Sequence, residues 1–142
     1  MTLTFASKTL KTDFYSGKIS LRTDSEPPRA WFASFELQGA ANAGTLTLLS
    51  PLGTTLGTLR WDQAQALLQT GADVQRFDNF EAALSSLTGA SLAPQALFSW
   101  LLGQNYQQDG WELDLSQFSN NRILARRTAP LPAAQLSLVL VP

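Results

Sequence analysis

"FYSGKISLRTDSEPPRAWFASFELQ" occupies residues 14–38, and its reading decides the fold. Tyr15, Ile19 and Leu21 fall on one side of an extended chain, while Lys18, Ser20 and Arg22 fall on the other. A period of two predicts a half-buried strand over 14–23. "SEPPRA" interrupts it, and then Trp31, Ala33, Phe35 and Leu37 alternate with Ser34, Glu36 and Gln38. Residues 30–38 are therefore expected to pair with the first strand through a long hairpin.

The same pattern extends outward. "GAANAG" ends the second strand, and strands near 44–50 and 55–61 flank the turn at Pro51-Leu52-Gly53. "AQALLQT" and "DVQRF" around Gly71-Ala72 suggest a further hairpin, which makes the first half an antiparallel meander. At Asp78 the period changes. Phe80, Ala83, Leu84 and Leu87 follow helical spacing, Asp78 and Glu81 have the spacing of a capping box, and Gly89 is placed to stop the helix. A second helix is expected from Pro94 to Gly103. Its residues "PQALFSWLL" are apolar nearly all round, so it is either a core helix or one lying across an apolar opening, the core helix being the simpler reading.

Strands resume at 111–118, with Trp111, Leu113 and Leu115 on one face, and again at 122–128 and 135–141. Pro130 and Pro132 fall in the connection between the last two, where they break no ladder. The order of strands, two helices and strands predicts an α+β fold with helices against one face of an antiparallel sheet. No internal repeat or linker divides residues 1–142, so a single domain is expected.

Composition narrows the function. Of 142 residues, 44% are hydrophobic and 15% charged, with a net charge of -1, which suits a domain with a sizeable core. No basic stripe with interleaved aromatics is present, so nucleic acid is not an expected partner. "MTLTFASKTLKTDF" lacks an apolar leader segment, and no later run approaches the ~18 apolar residues of a membrane span. The chain is expected to be soluble, and a secretory leader removed ahead of it is compatible with this start.

Much familiar chemistry is missing. The chain has neither cysteine nor histidine, which removes Ser-His and Cys-His nucleophile pairs and the usual zinc and haem sites. Neither a metal nor a cofactor is expected. Glu112 and Asp114 share one side of a strand and mimic a carboxylate pair for glycoside hydrolysis, although two carboxylates on a solvated strand face are the simpler reading. "GTTLG" lacks the lysine and spacing of a phosphate-binding loop. Arg126 and Arg127 are adjacent on a strand and should point to opposite faces.

Several stretches in order carry a resemblance: "SGKISLRTD", "WFASFELQG", "LTLLSPLGTTLGTLRWD", "FDNFEAALSSLTGASLAPQALFSWLLG" and "GWELDL". Together they resemble the LolB-like outer-membrane lipoprotein receptor family across roughly residues 14–141. The resemblance implies an open antiparallel half-barrel sheet, covered on its concave side by short helices, around an apolar cavity for lipoprotein acyl chains or another lipid. Further implied partners are a periplasmic lipoprotein carrier and the membrane surface. The implied location is the periplasmic side of the outer membrane, anchored there if a lipidated cysteine was removed ahead of this start and otherwise periplasmic. Two departures stand out: the stretch from Gly103 to Trp111 is too short for a strand usual in the family, and no C-terminal tryptophan is present. A smaller sheet implies a shallower cavity.

Carried over by position, Pro51, Leu52 and Gly53 form the family's protruding loop, with Leu52 as the membrane-contacting tip. From the residues alone, Leu52 is equally able to project into solvent or to fold back on the sheet. Ile19, Leu21, Trp31, Phe35, Trp61, Leu97, Trp100 and Leu101 are candidates for the cavity wall, and ordinary core packing is the competing reading for each. A lipid carrier without catalysis is the leading expectation. The alternative is a structural or interaction module with the same fold and a filled core, and an enzyme using Glu112 or Asp114 at a raised pKa stands third.

Overall fold

Residues 14–38 form the central hairpin. In the computed structural model, which describes residues 13–129 and 131–141, β1 (Asp13–Thr23) and β2 (Arg29–Ala40) pair antiparallel, with Gly17 opposite Phe35 and Leu21 opposite Trp31. Expectations about the leader region, Pro130 and Pro142 lie outside the described residues. The alternation has its expected cause: Leu21, Ala33, Phe35 and Leu37 are buried on one face, whereas Lys18, Arg22, Glu36 and Gln38 stand exposed on the other.

The meander continues through β3 (Ala43–Leu49), β4 (Thr55–Trp61), β5 (Ala66–Thr70) and β6 (Asp73–Phe77). After α1 (Phe80–Thr88) and α2 (Pro94–Leu101), the chain returns in β7 (Trp111–Asp114), β8 (Arg122–Arg127) and β9 (Ala134–Leu140). All nine strands join one antiparallel sheet in the order β6-β5-β4-β3-β2-β1-β9-β8-β7. β9 takes the free side of β1, so the two halves of the chain meet at the centre. Among the described residues no pairing closes β6 onto β7, and the open sheet is consistent with a half-barrel in an α+β fold.

Two local details differ from the sequence reading. The cap of α1 is Asn79, whose side-chain oxygen accepts the Ala82 amide at 2.8 Å, rather than Asp78 one residue earlier. Asn79 has the extended backbone a cap requires, and Glu81 then sits in the first turn, where its charge favours the helix dipole. The second difference is at β7, which stops at Asp114 instead of reaching 118. There the Asp114 carboxylate accepts the Ser116 amide at 2.9 Å and turns the chain, and a 3-10 turn at Phe118–Asn120 follows. Residues 104–110 contain no strand, in line with the short connection seen in the sequence.

Antiparallel alternation sorts the connections between two ends of the sheet. The β1–β2, β3–β4, β5–β6 and β8–β9 loops lie at one end, here the upper end. The β2–β3, β4–β5 and β7–β8 loops and the start of α1 lie at the lower end. Large side chains fill the lower end. Trp61 meets Phe80 edge-on at 4.7 Å and Phe98 at 6.3 Å, Tyr15 meets Phe98 at 6.3 Å, and the Trp61 indole donates to the Ala41 carbonyl at 3.0 Å. Such pairs add ~0.5–1.5 kcal/mol each beyond the area they bury.

Candidate functional site

Toward the upper end the packing is looser. Ile19 and Leu21 of β1, Phe35 and Leu37 of β2, Leu46 and Leu48 of β3, and Leu136 and Leu138 of β9 face Leu84, Thr88, Ala90, Leu92 and Leu97 across a cavity, with Trp111 at its side. α1 brings Leu84 and Thr88 there because it climbs from the lower aromatic cluster toward the start of β2. Arg29 fixes that arrangement by donating from Nη2 to the Leu87 carbonyl at 3.3 Å.

The wall is almost wholly hydrocarbon. Thr88, its polar side chain, is already satisfied, since the hydroxyl donates to the Leu84 carbonyl at 2.8 Å and accepts the Ala90 amide at 3.3 Å. Among the described residues no acid, base or cation borders the space, so this wall offers a guest dispersion and desolvation alone. The space open to the centre of a water molecule is ≈ 40 Å³. At roughly 10–15 Å³ for one water, that is a narrow slot.

The eight wall candidates divide into four that border the cavity and four that do not. Ile19, Leu21, Phe35 and Leu97 border the cavity. Trp61 belongs to the lower aromatic cluster. Trp100 is fully buried, donates its indole N–H to the Tyr106 carbonyl at 3.0 Å and meets Trp111 edge-on at 5.9 Å. Leu101 is buried core, and Trp31 packs half-buried beside it all, neither one touching the void. Leu37, Leu46, Leu48, Leu136 and Leu138 line the void without having been singled out from the sequence. Their signal was present in the alternation of 44–50 and 135–141.

The Pro51-Leu52-Gly53 loop is held from within. The Ser50 amide donates to the Thr54 carbonyl at 2.8 Å, the Gly53 amide to the Ser50 carbonyl at 2.9 Å, and the Thr54 amide to Ser50 Oγ at 3.1 Å. Gly53 takes φ 89°, a conformation that strains any residue with a Cβ. The loop turns so tightly that Leu52 cannot fold under it, and the side chain is 94% exposed.

Glu112 and Asp114 border one depression on the solvent side of β7, together with Arg126. Glu112 and Asp114 are both exposed, and hydrogen bonds from Ser116 hold the Asp114 carboxyl below the usual range, the opposite of the raised value a general acid needs. Arg126 is exposed and Arg127 buried, on opposite faces as expected. Among the described residues, no cluster of three or more acidic, His or Cys side chains is placed to hold a metal, and no helix is long and apolar enough to cross a membrane.

Comparison with known proteins points one way. The family model described as outer membrane lipoprotein LolB matches residues 14–129. The outer-membrane lipoprotein LolB of Shewanella woodyi is 30% identical over 93 residues, a stretch covering 66% of this chain and 42% of that relative. The chain thus spans less than half the length of the curated relative it matches. The family match runs from the first strand of the central hairpin past the end of β8, and on that extent the chain belongs to the LolB family.

Proposed function

We propose that this chain is a single lipid-binding domain that takes lipoprotein acyl chains, or another lipid, into the upper-end cavity and passes them to the outer membrane without catalysis. In this reading α1 and α2 cover the concave side of the half-barrel and part from it to admit cargo. The observation that carries the proposal is the cavity wall, which among the described residues is hydrocarbon apart from the internally bonded Thr88 hydroxyl.

The energetics suit a carrier. Each acyl CH₂ removed from water contributes ~0.8 kcal/mol, so a lipoprotein with several chains crosses an aqueous space only inside an apolar host. Release is the harder half. Leu52 offers ~1.5–3 kcal/mol on insertion, enough for brief contact with a bilayer and too little to keep the protein there. Cargo would come from a periplasmic lipoprotein carrier and leave at the periplasmic side of the outer membrane. A lipidated cysteine preceding this sequence would anchor the domain.

One observation favours the alternative, a non-catalytic interaction module with a filled core: the cavity is narrow as it stands. Transfer of a purified triacylated lipoprotein to phospholipid vesicles separates the two. Leu52→Glu should leave the urea unfolding midpoint unchanged and abolish transfer. Normal transfer by the folded variant would overturn the proposed role of this loop, and no transfer by the unmodified protein would favour the interaction module.

A further inference from the structure

The β8–β9 loop, "TAPLPA" at 128–133, repeats the Pro-Leu pair of the β3–β4 loop. Leu131 is 82% exposed, and the antiparallel register places its loop at the same end of the sheet as Leu52. The two loops stand on either side of the β1–β2 turn. Solitary exposed leucines are ordinary on protein surfaces. Two at the tips of separately braced loops, both at the hollow end, are a different matter.

The brace around Leu131 uses buried material. Arg127, only 6% exposed, donates from Nη2 to the Pro132 carbonyl at 2.9 Å, and its guanidinium lies 5.8 Å from the centre of the Trp111 ring. The Thr128 amide donates to the Gly110 carbonyl at 3.0 Å, and the Asp24 amide donates to the Ala133 carbonyl at 2.8 Å. A Cβ at Gly110 would run into the Ala129 carbonyl, so the start of β7 closes tightly on this loop. These bonds hold the backbone on both sides of Leu131, at Thr128 and at Pro132 and Ala133. Trp111 also borders the cavity, so the brace and the void share a wall.

We infer that Leu131 is a second membrane-contacting tip, and that Leu52 and Leu131 together seat the upper end of the sheet on a lipid bilayer. The occupant is a bilayer because both contacts are isolated aliphatic side chains, which suit a fluid hydrocarbon layer better than a shaped protein pocket. Pro51 widens the Leu52 side by sharing a shallow depression with Phe32, itself 69% exposed on the outward face. The turn between the leucines carries Asp24 and Glu26, which would remain among the headgroups. Two points fix the tilt of the domain about the contact, which one leucine does not. The inference rests on the proposed carrier reading and adds an orientation to it.

These 142 residues contain no cysteine, so a single introduced one labels cleanly. Leu52→Cys, Leu131→Cys and, at the lower end, Val141→Cys would each carry an environment-sensitive fluorophore and be mixed with phosphatidylethanolamine–phosphatidylglycerol vesicles. A blue shift at positions 52 and 131 but not at 141 is expected. A shift at 52 alone would overturn the second tip and leave the carrier reading standing, whereas no shift at either leucine would overturn both membrane contacts. A shift at 141 would overturn the orientation. Independently, Leu131→Glu should weaken vesicle partitioning roughly tenfold with no change in unfolding midpoint. Unchanged partitioning by that folded variant would also overturn the inference.

Discussion

The two ends of the sheet are built from the same alternating strands and put them to different use. At the lower end, Trp61, Phe80, Phe98 and Tyr15 interlock, and the indole of Trp61 is tied to the backbone at Ala41. At the upper end, leucines of four strands face helical leucines across a slot, and the loops beyond it carry Leu52 and Leu131. Aromatic rings fill space and fix geometry, whereas aliphatic side chains leave a surface that slides and parts. Under the carrier proposal this is a division of labour: one end holds the fold together and the other gives way to cargo.

The largest expected effect tests the first half of that contrast. Trp61→Ala should cost ~3–5 kcal/mol in urea unfolding, through the cavity it leaves and the lost indole hydrogen bond, with no direct effect on vesicle contact by folded protein. A loss below ~1 kcal/mol would mean the lower end is not the keystone. Leu46→Trp places bulk in the slot instead. It should reduce binding of a fluorescent fatty acid at least tenfold while costing no more than the ~1–3 kcal/mol of ordinary overpacking. Asn79→Ala, which removes the cap of α1 while leaving both ends packed, should cost about 1 kcal/mol.

The smallest effect concerns pH. The hydrogen bonds from Ser116 depress the folded-state pKa of Asp114, so its contribution to stability is present above the unfolded value of about 3.9 and is lost as pH falls through the lower folded value. Asp114→Asn should therefore be slightly less stable at pH 7 and equal to the parent in strong acid. Paired urea titrations across that range would reveal it. An equal gap at every pH would point to packing rather than charge.

The central hairpin was legible because each of its strands is buried on one face and wet on the other, which writes a period of two directly into residues 14–38. The helices were legible for the corresponding reason. What alternation gives is the face of a residue, and what it lacks is height along the strand. Trp61 and Phe35 therefore read alike in sequence, although one joins the aromatic cluster and the other borders the void. Only pairing across distant strands separates them. The end of β7 is not legible in the alternation because one hydrogen bond, donated by the Ser116 amide to the Asp114 carboxylate, decides it. Leu52 stood out through its family resemblance, whereas Leu131 was hidden in a proline-rich connection whose position beside the void depends on β9 pairing with β1.

The most direct test of the carrier proposal is native mass spectrometry of the chain with a purified triacylated lipoprotein, beside its Leu46→Trp variant. A one-to-one complex that the variant fails to form is the expected result, since acyl chains and an added indole compete for one slot. A complex formed equally well by both proteins would place the cargo elsewhere and contradict the account.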